Sequence, residues 1–182
     1  MIKQKSVPIR GIVFTGFVAA LLVVNILAWS GNVSSLALAQ KQQQVTYTAT
    51  LTGKNESPPV NAQATGTAKF TPNSNDTLSY EVNTNNIDGV IGAHIIESNG
   101  SLLAQVFNPY ANHNGKSGIP TGKVNGVLSS GTITSDDLDG PLVGKKITDL
   151  VSLMKQGKAF VEIRTSDHEK GEIKGQVTSP TK

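Results

Sequence analysis

The sequence predicts an all-β protein, an antiparallel β-sandwich or barrel with one short amphipathic helix, preceded by an N-terminal signal or anchor helix. Three observations predict it. Apolar and polar residues alternate with period two in segment after segment, turn formers separate those segments at short intervals, and only one stretch changes to the helical period.

The leader comes first. Lys3, Lys5 and Arg10 precede an uncharged run, GIVFTGFVAALLVVNILAW from Gly11 to Trp29, long enough as a helix to cross a hydrocarbon core of about 30 Å. Ser34-Ser35-Leu36-Ala37-Leu38-Ala39 ends in the small-x-small pattern that signal peptidases cut, which sets a cleavage site before Gln40. Two readings of residues 1–39 stay open, a cleaved signal peptide or an uncleaved membrane anchor. Either one places residues 40–182 outside the cytoplasmic membrane, secreted or anchored, and only an uncleaved helix would touch the membrane.

After a polar spacer the alternation begins. Val45 to Thr52 sets apolar residues against threonines, as a strand with one wet face requires, and the pattern recurs in Ala64 to Phe70 and Leu78 to Val82. Thr71-Pro72-Asn73-Ser74-Asn75-Asp76 supplies the turn between the last two. Further strands are expected over Gly92–Ile96, Leu102–Phe107, Gly126–Thr134, Ala159–Thr165 and Glu172–Thr178. The last two flank a hairpin loop, Ser166 to Gly171. Eight short strands with turns between them suit a sandwich or barrel. Ile147, Leu150, Val151 and Met154 follow the helical period, with Gly157 where a C-terminal cap would sit, so Lys146 to Gln156 reads as a helix closing one end.

Composition excludes several functions. Of sixteen basic side chains, three precede the apolar run, and the thirteen after it are matched by thirteen acidic ones. The body therefore lacks the surplus cations that phosphate neutralisation needs, and no nucleic acid is expected as partner. The absence of cysteine excludes disulfides, thiol nucleophiles, iron–sulfur ligation and a thiolate copper site.

Several segments together resemble the CHRD domain, the module named after chordin that also occurs singly in exported microbial proteins. Leu51-Thr52-Gly53-Lys54-Asn55-Glu56-Ser57-Pro58-Pro59-Val60 and Ala64-Thr65-Gly66-Thr67-Ala68 are similar to the family's opening motifs. Gly92-Ala93-His94-Ile95 stands where the family has Ala-His-Ile-His. Gly131-Thr132-Ile133-Thr134 with Asp137-Leu138, then Gly157 to Val161 and Gly171 to Val177, match its closing part in order. The resemblance implies a β-sandwich or barrel of immunoglobulin-like or superoxide-dismutase-like form, with no enzymatic activity established for the family as a whole.

His94 is the residue most open to a chemical reading. The family's paired histidines, two residues apart, share one face of a strand as in the copper-binding strand of copper/zinc superoxide dismutases. Here the second position is Ile96, and Arg164 replaces a further histidine that the family often carries in its closing hairpin. Metal ligation would need His113 or His168 to fold toward His94. Otherwise His94 is hydrogen-bonded beside the core and the other two are solvated.

Glu56 and Glu172 could be imagined as paired carboxylates, but Glu172 is expected to pair with Lys174 or Arg164, or to cap a turn. Asp136, Asp137 and Asp139 lack the spacing of a calcium loop and read as a solvated helix start after Ser135. Pro58-Pro59 marks an edge or corner. Gly53, Gly66, Gly92, Gly171 and Gly175 mark bends or close packing. The long polar segment Asn108 to Pro120, with Tyr110, Asn112 and His113, is the expected contact loop. Sequons begin at Asn55, Asn75 and Asn99.

The expectation is a non-enzymatic extracytoplasmic binding or structural module of the cell envelope, without cofactor, that meets a protein or glycan. The alternative is a metal-binding or redox protein on a superoxide-dismutase-like sandwich. A third reading is a subunit of a surface layer or adhesive matrix, assembling through exposed strand edges.

Overall fold

The computed structural model of the protein describes residues 44–110 and 122–180. The expected leader, with its apolar run and its cleavage site, lies outside the described residues.

Eight strands form one antiparallel sheet: β1 Tyr47–Thr52, β2 Thr65–Pro72, β3 Leu78–Ile87, β4 Val90–Glu97, β5 Leu102–Phe107, β6 Val124–Ile133, β7 Ala159–Thr165 and β8 Ile173–Gln176. Their order across the sheet is β5-β4-β7-β8-β1-β2-β3-β6, so the first strand lies between the last and the second. The sheet curls until its two edge strands approach each other, and the choice between sandwich and barrel resolves to a nearly closed barrel. Side chains help to close the seam. Ser129 on β6 donates its hydroxyl to the Val106 carbonyl on β5 at 2.6 Å, and the Tyr80 hydroxyl on β3 donates to the same oxygen at 2.9 Å. The β5 edge thereby has one of its backbone carbonyls satisfied.

Alternation dictates the interior. On β1, Tyr47, Ala49 and Leu51 point inward and Thr48 and Thr50 outward, and β2 repeats the pattern with Gly66, Ala68 and Phe70 buried. Leu78, Ile95, Leu103, Ile133 and Ile163 fill the rest of the interior, each fully buried. Burying such side chains contributes roughly 1.5–3 kcal/mol apiece and is the main force holding a fold without disulfides.

The helix, α1, spans Ile147–Lys155 and buries Ile147, Leu150, Val151 and Met154, the stripe its period marks. The Asp149 carboxylate accepts the Lys146 N–H at its start. Gly157, at φ +67°, ends it: its N–H reaches the Met154 carbonyl and Lys158 N–H the Leu153 carbonyl, so two terminal acceptors are satisfied.

Strands β1, β2, β4, β6 and β8 shift by one or two residues from the expected bounds, and two differences are larger. Strand β3 continues five residues past Val82, to Ile87, because Asn83 and Thr84 are paired to both β2 and β6, Asn85 to β2 and Ile87 to β6. The acidic cluster begins no α-helix. Ser135–Asp137 is a single 3-10 turn, started by Thr134 rather than Ser135, in which the Asp137 carboxylate accepts both the N–H and the hydroxyl of Thr134 at 2.8 and 2.7 Å.

Candidate functional site

The polar groups with unusual surroundings lie together on the outer face of β4, β7 and β8. Strand register places them there. His94 on β4 is directly opposite Gln105 on β5 and Glu162 on β7, and Glu162 is directly opposite Lys174 on β8. Gln105, His94, Glu162 and Lys174 therefore form one row across four adjacent strands, with Arg164 two residues along β7 on the same face.

Glu162 organises the row. It is 4% exposed, and its two oxygens meet two cations: Arg164 Nε at 2.7 Å and Lys174 Nζ at 3.7 Å. The Lys174 ammonium also lies 5.4 Å from the centre of the Phe160 ring. Nothing in the spacing singled out Glu162. The available signal was its charge in the middle of a strand whose inward positions Val161 and Ile163 are apolar, where an outward carboxylate two residues from the outward Arg164 invites pairing. The expected pairing of Glu172 with Lys174 or Arg164 is corrected accordingly. Its carboxylate accepts the Thr165 hydroxyl at 2.7 Å, because the strand reversal after Gly171 directs it along the β7 end of the hairpin.

Glu56 reaches the same face from outside the sheet. After β1 the chain makes a 3-10 turn, Gly53–Asn55, tied internally by Glu56 N–H and Val60 N–H to the Gly53 carbonyl. Asn55 Nδ2 donates to the Lys174 carbonyl at 3.0 Å and fixes the turn to β8. Pro58 and Pro59 follow at the exposed corner that was expected of them. The Glu56 carboxyl comes to rest on Gly171, where a Cβ would meet its atoms at 2.5–2.8 Å, and at φ +130° the backbone there also favours glycine. Glu56 is 8% exposed, and its Oε1 is buried without a hydrogen-bond partner. Burial first, and the neighbouring Glu162 carboxylate second, push its carboxyl up to about 7, against the opposite pull of Lys174 and Arg164.

His94 flanks the row on the other side. Its ring packs over Gly92, where a Cβ would fall 2.7 Å from Cε1. Its Nε2 lies 3.3 Å from Gln105 Nε2, and its Nδ1 is buried without a partner. Burial, then the Arg164 guanidinium, lower its pKa, while Glu162 and Asp139 oppose that change.

The other sequence candidates are not brought together here. His168 lies in the β7–β8 loop, where its N–H donates to the Thr165 hydroxyl. Asn112 and His113 lie outside the described residues. Tyr110 is 72% exposed at the end of β5, beside Asn108, whose side chain accepts the Tyr110 N–H. Glu56 and Glu172 have separate contacts: the Glu56 carboxyl rests on Gly171, and the Glu172 carboxylate accepts the Thr165 hydroxyl. Among the described residues, no three His, Asp or Glu side chains converge to hold a metal ion. Of the sequon asparagines, Asn75 and Asn99 stand on exposed hairpin turns, whereas Asn55 spends its amide on Lys174.

This geometry joins two of the sequence motifs: Glu56 of the opening motif rests on Gly171 of the closing one. The family model for the CHRD domain matches residues 47–177. The chain belongs to the CHRD domain family. No curated protein matches the chain. Within this CHRD domain, the positions where the family resemblance leads one to look for histidines, His94, Ile96 and Arg164, fall on the outer faces of the paired strands β4 and β7. The guanidinium at the third is held by Glu162 beside His94, and a fixed cation there repels a metal ion.

Proposed function

We propose that this CHRD domain is an extracytoplasmic binding or structural module of the cell envelope, secreted or held by its N-terminal segment, that meets a protein or glycan without catalysing a reaction. The observation that carries this reading is the division of the barrel. Its interior is filled by apolar side chains, and the buried Glu162, with Arg164 and Lys174 paired to it and His94 opposite it, lies on the outer face of β4, β7 and β8. A partner would be met from outside, on a rigid scaffold. On an exported chain, Asn75 is the open position for glycan attachment, since the Asn55 and Asn99 amides donate to the Lys174 carbonyl and to Glu97.

The reading is tested by incubating the purified full chain with envelope fractions, beside calorimetry with copper and zinc on the wild type and on His94→Ala. Saturable retention on envelope material, with no stoichiometric metal uptake, is the expected result. Stoichiometric metal binding lost in His94→Ala would replace the reading with the metal-binding alternative.

A further inference from the structure

We propose that the segment from Gly53 to Val60 is a proton-controlled latch, held against the β7–β8 hairpin while Glu56 is a neutral carboxylic acid and released when Glu56 ionises. The packing carries the inference. The Glu56 carboxyl is enclosed on Gly171 with Oε1 unpartnered, so the site offers space for the group but no hydrogen bond to one of its oxygens. The cations near it are committed elsewhere: Arg164 Nε to one oxygen of Glu162 and Lys174 Nζ to the other, with Lys174 also over Phe160. A buried carboxylate lacking a direct counter-ion is far more costly than the neutral acid.

The charged groups around Glu56 are few and identifiable. Strand β7 presents Glu162 and Arg164, β8 presents Lys174, the loop leading to Gly171 carries Asp167, His168, Glu169 and Lys170, and Glu172 follows Gly171 with its carboxylate on the Thr165 hydroxyl. Lys54, on the segment itself, is exposed. The raised carboxyl value, about 7, puts the change of charge within the range an unbuffered extracytoplasmic space can cross. His94 titrates in the opposite sense, on the more acid side of its ordinary value.

The segment is also poorly anchored. The hydrogen bonds of Glu56 N–H and Val60 N–H are internal to it, and the Asn55 amide supplies its bond to the Lys174 carbonyl. When Glu56 becomes charged, that single bond opposes the solvation of a carboxylate. Release would bare Gly171 and the Lys174 carbonyl, which Glu56 and Asn55 cover, to solvent and to a partner.

Hydrogen exchange of the full chain, followed from pH 5.5 to 8.5 and corrected for intrinsic exchange, tests the proposal. Protection of the amides between Gly53 and Val60 is expected to fall about tenfold or more as the pH rises through about 7, while β2 keeps its protection. In Glu56→Gln, a neutral isostere, protection should stay at the acid-side level throughout. Protection independent of pH in the wild type, or the same pH dependence in Glu56→Gln, overturns the proposal. Failure of Glu56→Gln to fold overturns it as well, since a permanently neutral side chain is what the closed latch holds.

Discussion

The outer faces of β2 and β7 are built to the same period and have opposite fates. On β2, Thr65, Thr67 and Lys69 point outward and are all exposed, each behind a buried inward neighbour. On β7, Phe160, Glu162 and Arg164 hold the equivalent places, yet Glu162 is as well buried as the core. The difference lies in what covers each strand. Nothing in the described residues lies over β2, whereas the turn after β1 folds against the β7–β8 hairpin and Lys174 and Arg164 close over Glu162 from the sides. Alternation fixes which way a side chain points; the dielectric it meets there depends on another part of the chain.

The sharpest way to break this contrast is to remove Glu162. Glu162→Ala leaves two cations close together at a half-covered site, and a loss of about 3 kcal/mol in stability is expected by denaturant titration. Glu56 comes next. Its ordinary value of 4.5 is raised to about 7 in the folded chain, so the folded state holds the proton more tightly. Its contribution is therefore fully present below about pH 4.5 and is lost as pH rises through about 7, by at most about 3 kcal/mol. Glu56→Gln should match the wild type near pH 4 and exceed it at pH 8 by up to that amount, read from urea midpoints at the two pH values. His94, with its value lowered, works the other way, losing stability as pH falls below its ordinary value of 6.5.

A smaller effect is expected at Gly171. Gly171→Ala sets a methyl group against the Glu56 carboxyl at a positive φ and should cost about 2 kcal/mol. Part of that loss should disappear in a Glu56→Ala background, where the contact is gone and the backbone strain stays, and a double-mutant cycle separates the two. The smallest effect belongs to the open face. Thr67→Ala on β2 should change stability by about 0.5 kcal/mol or less, and a larger loss would show that this face too has a cover.

These contrasts also show which parts of the molecule could be read from the chain alone. Strands β5 and β7 begin and end where alternation begins and ends, and α1 buries the four residues its period marks. The extension of β3 was hidden because Asn83 to Asn86 are all polar, and only pairing with neighbouring strands, on both sides for Asn83 and Thr84, extends the strand through them. His94 and Glu56 stood out as residues of matched motifs, but Glu162, the group that joins them, carried no motif of its own. The assignment of Glu172 to a basic partner failed for a related reason: Lys174 and Arg164 were correctly seen as available cations, but register puts Glu162 directly opposite Lys174.

By itself the sequence determined the all-β class, the order of its strands along the chain, the helix α1 with its glycine cap, and membership of a family through motifs that recur in order. Periodicity and turn chemistry are local, and residues a few places apart suffice to specify them. Only the tertiary structure decided that one sheet curls to a nearly closed barrel with Ser129 and Tyr80 meeting Val106 across its seam, that Glu162 rather than Glu172 takes both cations, and that Glu56 is left buried without one. Those outcomes depend on which distant segments come to lie against each other, because the energy of a charge is set by the atoms that replace its water.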